Sequence, residues 1–334
     1  MQSLKSLIPP NNALLVFGAL NVNKEDRELS IKTLKPVQII IDDEIKPVLF
    51  FKSWEVVTIS AMAYHPNDSM VIYITKGKGL LKIDLHKGSS QFFDISNLKD
   101  VHEITVIDNI LWIANTRYNE AVAFDILLEK VINRVNLFSL NAFREYKDKQ
   151  EDSDIDVVDK FHLNQIFKGI DGELYGLVHH VYGKQLIKHL KYKKIKLHGN
   201  GGVINLSNGQ LIPLNLKSPH TVRVIQNNYW LFDSGNFTIN IYSSDWVLKE
   251  IIKTNGYGRG ADLSNEVALF YAGISKIRKR YLRFIKFPVV GKNMVQIFSV
   301  KKRKPLGEIE LDSIEQINNV YLVNREVGSA LLKL

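Results

Sequence analysis

The feature that most constrains this chain is a recurring unit in which a histidine opens a short apolar strand. The return strand of each unit reads as an aromatic or aliphatic run that ends in a small polar residue. The copies are His102 in VHEITVIDNILWIANT, His162 in FHLNQIFKGIDGELYGLV and His220 in PHTVRVIQNNYWLFDSG. Asn115 follows His102 by 13 residues, and Asp233 follows His220 by the same 13. Self-similarity at roughly 40–50 residues is the mark of a blade-by-blade architecture. Equivalent residues of successive blades face one axis, so three histidines in one register are expected to converge.

Short runs of Val, Ile, Leu, Tyr and Phe alternate with turn signals at Asn67-Asp68, Asp108-Asn109, Asp171-Gly172, Asn208-Gly209 and Asn227-Asn228. No segment sustains a helical apolar period for three turns, so the fold class is all-β. Blades are expected over Thr58 to Ile95, Val101 to Leu137, Phe161 to Leu214, Ser218 to Thr254 and roughly Gly258 to Ile309. The remaining strands, at Ala13–Phe17, Leu29–Lys32, Val37–Ile41 and within Ile314–Leu334, suit a sixth blade closed by both termini, which removes free sheet edges. The expectation is one closed six-bladed β-propeller domain over residues 1–334, with the first strand of each blade lining a central channel.

The chain has no cysteine, so any metal here must be held by nitrogen and oxygen. No run of 18 apolar residues could span a bilayer, and no secretory pattern stands at the N-terminus; the expected setting is the cytoplasm, with no membrane partner. A net charge of +9 gathers in Lys188 to Lys196, Lys276 to Arg283 and Lys301 to Lys304. No aromatic platform interleaves these patches, which argues against nucleic acid as a partner. Solvated outer strands account for them. In the charged segment Arg144 to Lys160, Asp152, Asp154 and Asp156 imitate a calcium loop. Val157 and Leu163 stand where the loop needs glycine and glutamate, so it reads as a solvated crossing.

Aligning the return strands places His102, His162, His220 and Arg259 in one register, with Met62 as the first-blade equivalent. His162 fits more loosely, because the turn Gly169 to Gly172 is read as a three-residue expansion. Three neutral imidazoles approaching from one side leave an open coordination position, as a catalytic zinc or ferrous iron requires. Arg259 stays protonated and offers a fork of donors suited to the carboxylate or phosphate of a small anionic substrate. Asn164 stands beside it as a substrate-binding candidate. Glu103 and Asp233 are the acid–base candidates, although Asn115 and Asp233 share a register that also suits turn hydrogen bonds. One of His179 and His180 could reach the channel mouth; His65, His86, His189 and His198 are expected at exposed positions. A metal-free ligand pocket and a purely structural role for the histidines remain alternatives. So does a non-catalytic propeller that binds a protein or glycan partner on one face.

The order of motifs, VHEI, LWIANTRYNEAVAFD, FHLNQI, GGVINLSNGQ, SPHTVRV and YWLFDSG, resembles a group of mainly bacterial propeller proteins without a settled activity. Their members carry H-D-I, L-W-V-A-N-T, H-L-N-G, P-H-S-P-R and L-W-V-L-D-S-G. The resemblance covers about Leu14 to Tyr271. It departs at Glu103, where the pattern has aspartate, and at Thr221-Val222, where it has Ser-Pro; from Ile274 onward there is little likeness. More broadly the chain is similar to six-bladed enzymes of the NHL and gluconolactonase type. Among them, peptidyl-amidoglycolate lyase holds zinc by three histidines from different blades. The resemblance implies a metal-dependent lyase or hydrolase acting at the channel mouth.

Overall fold

The computed structural model describes residues 7–19, 35–54, 60–140, 159–183, 199–276, 292–314 and 316–334. Six antiparallel four-stranded sheets form a six-bladed β-propeller. Strands β1 (Asn12–Ala19), β2 (Val37–Ile41) and β3 (Glu44–Pro47) are the outer members of the closing blade. Blade one follows with β4 (Met62–His65), β5 (Asp68–Lys76), β6 (Gly79–Asp84) and β7 (Ser89–Asp94). Blade two holds β8 (Val101–Ile107), β9 (Ile110–Asn115), β10 (Glu120–Asp125) and β11 (Lys130–Asn136). Blade three holds β12 (Leu163–Lys168), β13 (Leu174–Val178), β14 (Gly201–Asn205) and β15 (Leu211–Leu216). Blade four holds β16 (Pro219–Ile225), β17 (Asn228–Asp233), β18 (Thr238–Tyr242) and β19 (Leu248–Lys253). Blade five holds β20 (Tyr257–Ser264), β21 (Leu269–Ser275), β22 (Met294–Ser299) and β23 (Lys304–Glu310).

The innermost strand of the closing blade is β24 (Gln316–Asn324), which pairs with β1 through Leu14↔Leu322 and Leu15↔Tyr321. Chain closure by strands from both ends is as the sequence suggests. One element is not: Arg325–Leu331 is a helix, α1, where only strand was expected. Two turns give too few apolar positions for a helical period to stand out. Its Val327 and Leu331 join the core with Ala13, Ile39 and Ile41, so the helix fastens the outer strands of the closing blade.

Both faces of every sheet are covered by neighbouring blades, and six apolar clusters fill the six seams. Middle strands therefore read as continuous apolar runs; every residue of β2 and β22 is buried. The outermost strands face water, as in β7, where five of six residues are exposed. Left-handed φ at Asp108 and Asn109, and at Gln226 and Asn227, makes the inner hairpins of blades two and four two-residue turns whose twist matches the strands. The second of these lies one residue before the Asn227-Asn228 expected from sequence. No described helix is long and apolar enough to cross a membrane.

Candidate functional site

Each inner strand of blades two to five begins with a β-bulge, between Val101 and Ile104, Leu163 and Gln165, His220 and Val222, and Gly258 and Ala261. A bulge sets two residues against one and re-aims side chains. The residues before the bulges pair as Val101↔Asn115, Leu163↔Val178, Pro219↔Asp233 and Gly258↔Ile274. Their carbonyl oxygens form a second, independent alignment, because each accepts a bond from the preceding blade. Ser60 Oγ donates to Val101 O, Thr116 Oγ1 to Leu163 O, Asn164 Nδ2 to Pro219 O and Ser234 Oγ to Gly258 O, all at 2.5 Å.

This alignment corrects the register read from sequence. The structural equivalents of His102, His220 and Arg259 include Asn164, and His162 lies two residues earlier, in the register of Asp100, Ser218 and Tyr257. Asp100, His162 and Ser218 share a left-handed φ of 57°, 54° and 50°. The cause is the turn in blade three. Its turn leaves five residues between the last pair, Lys168↔Leu174, against two in blades two and four, the three-residue expansion expected, but its strands pair over fewer residues, so the outer partners lie 15 residues apart (163 to 178) against 14 (101 to 115, 219 to 233) and the net offset is one.

His162 nevertheless reaches the cluster. Ring centroids are 4.7 Å apart for His102 and His162, 4.2 Å for His162 and His179, and 5.1 Å for His179 and His220. The Tyr257 ring lies 5.4 Å beyond His220. Four imidazoles from blades two, three and four therefore form one continuous wall. His179 was only one of two sequence candidates beside His180. Its signal is positional, since it directly follows Val178, the partner of Leu163, just as Thr116 follows Asn115 and Ser234 follows Asp233.

Hydrogen bonds fix which ring nitrogen carries the proton. His102 Nδ1 lies 3.0 Å from Asp100 O and 2.8 Å from Thr116 Oγ1. The threonine hydroxyl is already donated to Leu163 O, so His102 Nδ1 must be the donor. The same logic applies to His220, whose Nδ1 sits 2.9 Å from both Ser218 O and Ser234 Oγ. His162 Nδ1 donates to Asp159 Oδ2 at 2.6 Å. All three are Nδ1–H tautomers when neutral, with the lone pair on Nε2. Burial, followed by the charge of His162, pushes His102 down to about 4. Burial and Arg259 hold His220 well below the usual imidazole range, and burial with the neighbouring imidazoles does the same for His179. His102, His179 and His220 are thus neutral nitrogen bases, and the guanidinium of Arg259 is among the causes for His102 and His220.

The other candidates are placed differently. Glu103 is buried in an ion pair, with Arg223 Nη1 at 3.3 Å and Gln165 Nε2 donating at 3.0 Å. Burial raises its carboxyl, opposed by Arg223. Arg223 of blade four reaches Glu103 of blade two past blade three, so this bond lies across the axis. Tyr64, Asp262 and Tyr321 extend the polar layer on the inner strands of blades one, five and six. Asp233 serves its turn: Oδ1 accepts from Lys217 N at 2.7 Å and Oδ2 from Asn236 Nδ2 at 2.6 Å. Asn115 does the equivalent, accepting from Lys99 N at 2.9 Å. Met62, the first-blade counterpart, is apolar core. Among the described residues, no group of three or more His, Asp or Glu side chains stands ready to hold a metal ion. The acidic triplet Asp152, Asp154 and Asp156 and the patch Lys188 to Lys196 lie outside the described residues, as does 277–283 of the second patch. In the third patch, Arg303 pairs with Glu250 of the neighbouring outer strand.

A family model described as a domain of unknown function (DUF4915) matches residues 152–328. No curated protein matches the sequence. Among solved structures, a protein of unknown function from Bacteroides caccae superposes with a TM-score of 0.58 at 12% identity, covering 94% of this chain and 99% of that one. A chain of a nidogen–laminin complex gives 0.57 at 11% identity, with 93% and 98% covered. A protein provisionally assigned as a 6-phosphogluconolactonase, from Bacteroides fragilis, gives 0.51 at 12% identity, with 97% and 100% covered. Likeness at such identities establishes the propeller and leaves chemistry to the site itself.

Proposed function

This chain belongs to the family of the domain of unknown function DUF4915, and from its channel mouth we propose an enzyme of the lyase or hydrolase type that acts with a divalent cation on a small anionic substrate. The observation that carries the reading is the row of imidazoles whose Nδ1 atoms are engaged by Asp100 O, Asp159 and Ser218 O. Such partners orient an imidazole and leave Nε2 as a donor. The donor chemistry fits zinc or ferrous iron held by His102, His162 and His220. When bound, a cation of this kind polarises a carbonyl or phosphoryl oxygen, or makes a bound water acidic.

The remaining roles belong to the chain. Arg259, close enough to His220 to depress its basicity, clamps a carboxylate or phosphate by its fork of donors. Glu103, the candidate for moving a proton, is held by Arg223 and Gln165. Asp233 is spent on its turn.

A second reading has its own observation, the lack of a ready three-ligand group among the described residues. In that reading the mouth is a metal-free pocket on a non-catalytic propeller, and the imidazoles accept hydrogen bonds from a glycan or protein partner. Elemental analysis of protein purified without chelator decides. The metal-bearing reading expects about one divalent ion per chain, lost in His220→Ala. Metal-free protein that takes up no zinc or iron on addition would abandon it for the second reading.

A further inference from the structure

We infer that blade three reads hydroxyl groups: Asn164 Oδ1 and His179 Nε2 form a polar subsite for the hydroxyls of a small organic anion whose charged end is held by Arg259. The inference rests on the anionic-substrate half of the reading above and calls on no cation.

Two unmet hydrogen bonds carry it. Asn164 is only 3% exposed and spends Nδ2 on Pro219 O at 2.5 Å. The donor to a carbonyl must be the amide nitrogen, so the orphan is Oδ1, an acceptor buried without a partner. His179 Nε2 is likewise shut off from solvent and without a hydrogen-bond partner. Blades two and four place bonded groups at both positions. His102 and His220, in the register of Asn164, engage Asp100 O and Ser218 O through Nδ1. Thr116 and Ser234, in the register of His179, give their hydroxyls to Leu163 O and Gly258 O.

Both orphans and the anion clamp border one stretch of blade four. Asn164 bonds Pro219 O, the His179 ring lies 5.1 Å from that of His220, and Thr221 Oγ1 donates to Arg259 O at 2.6 Å. The charge of Arg259 also acts on His220. A small ligand seated beside Pro219–Thr221 therefore meets a guanidinium and both orphans.

The chemistry of the orphans selects the ligand. Asn164 Oδ1 only accepts, while His179 Nε2 donates or accepts according to its tautomer. A hydroxyl does both and satisfies each of them. An ammonium only donates and brings a second positive charge beside Arg259, and a bare carboxylate faces Asn164 Oδ1 lone pair to lone pair. The class that fits is a carboxylate or phosphate whose carbon chain carries hydroxyls, with the anionic group on the fork of Arg259. A site built to bond a hydroxyl rejects the analogue that lacks it, because its buried groups are then left unpaired.

The test uses the full chain, with chelator present throughout, and calorimetric titration with glycerol phosphate and with propyl phosphate. The two share a phosphate and a three-carbon chain and differ in their hydroxyls. Glycerol phosphate is expected to bind at least about tenfold more tightly. His179→Phe keeps a ring and removes Nε2; it should cut that preference by at least about threefold and leave the affinity for propyl phosphate unchanged. If this variant does not fold, His179→Leu is read in the same way. Equal affinities in the parent mean that ordered water fills the orphans, which overturns this inference and leaves the anionic-substrate reading standing. A preference kept in full by the His179 variant overturns it as well, because the hydroxyls are then read elsewhere. Absence of saturable binding by either phosphate overturns both the inference and the anionic half of the reading.

Discussion

The polar layer beneath the histidines holds two carboxylates and one guanidinium, and that imbalance makes the sharpest prediction. Glu103 is buried, Arg223 and Asp262 are half-buried, and the charge of Arg223 acts on both acids. Replacing Glu103 by Gln leaves one acid opposite one base and keeps an acceptor for Gln165 Nε2. Replacing Arg223 by Met leaves two acids and no base. Breaking a buried pair so that a charge is stranded costs about 3–5 kcal/mol. Unfolding entropy of about 2.1 cal/mol/K per residue over 334 residues is about 0.7 kcal/mol/K. A loss of about 4 kcal/mol therefore lowers the melting temperature by about 6 °C in Arg223→Met, and by much less in Glu103→Gln.

The pH dependence follows with its sign. Burial raises the carboxyls of both Glu103 and Asp262 in the folded protein, and Arg223 opposes the rise. Stability from a raised carboxyl is fully present below its unfolded value and is lost as pH climbs through the folded value. Without Arg223 the folded values rise further, so the deficit of Arg223→Met should narrow as pH falls from about 7.5 toward about 5.5. Thermal melts of both variants at both pH values, with the double variant to close the cycle, provide the measurement. The reasoning fails if Arg223→Met loses no more than Glu103→Gln, or if its deficit is the same at the two pH values.

Arg259→Lys should leave folding intact while weakening inorganic phosphate binding about tenfold, since a point charge does not reproduce the bidentate fork; calorimetry with phosphate reads this, and unchanged affinity removes Arg259 from the site. Thr116→Val strands Leu163 O and leaves His102 Nδ1 with Asp100 O alone, and should cost about 1–2 kcal/mol in urea unfolding; a loss of only a few tenths would mean that the blade-to-blade bond carries little. Gly260→Ala places a Cβ 2.2 Å from Asn319 Cα at the seam of blades five and six, where backbone must move, and should destabilise by about 1–3 kcal/mol; a variant melting with the parent would refute the tight approach.

Blade period, strand order and closure were legible in the sequence because local signals carry them: two-residue turns, apolar runs of strand length, and terminal strands left over after five blades. Register was legible only in part. Residue counts treat the chain as uniform, whereas a bulge sets two residues against one and a left-handed residue reverses the side-chain direction. Blades two and four share one turn length, so His102 and His220 aligned correctly. Blade three has one residue more, and the count there put His162 where Asn164 stands. His162 still joins the cluster, its ring 4.7 Å from that of His102 and 4.2 Å from that of His179.

What no local pattern could show is the division of labour along the channel. Glu103 and Arg223 are 120 residues apart, and each by itself reads as an ordinary strand charge. Only closure of the ring brings them into one ion pair. The same closure sorts the hydroxyls: Thr116 and Ser234 look like turn residues in sequence, yet each holds a histidine proton and a neighbouring blade at once. Where blade three breaks that pattern, with His179 for the hydroxyl and Asp159 for the partner, the repeat has been altered at the one place where its fastening role was already met by another residue.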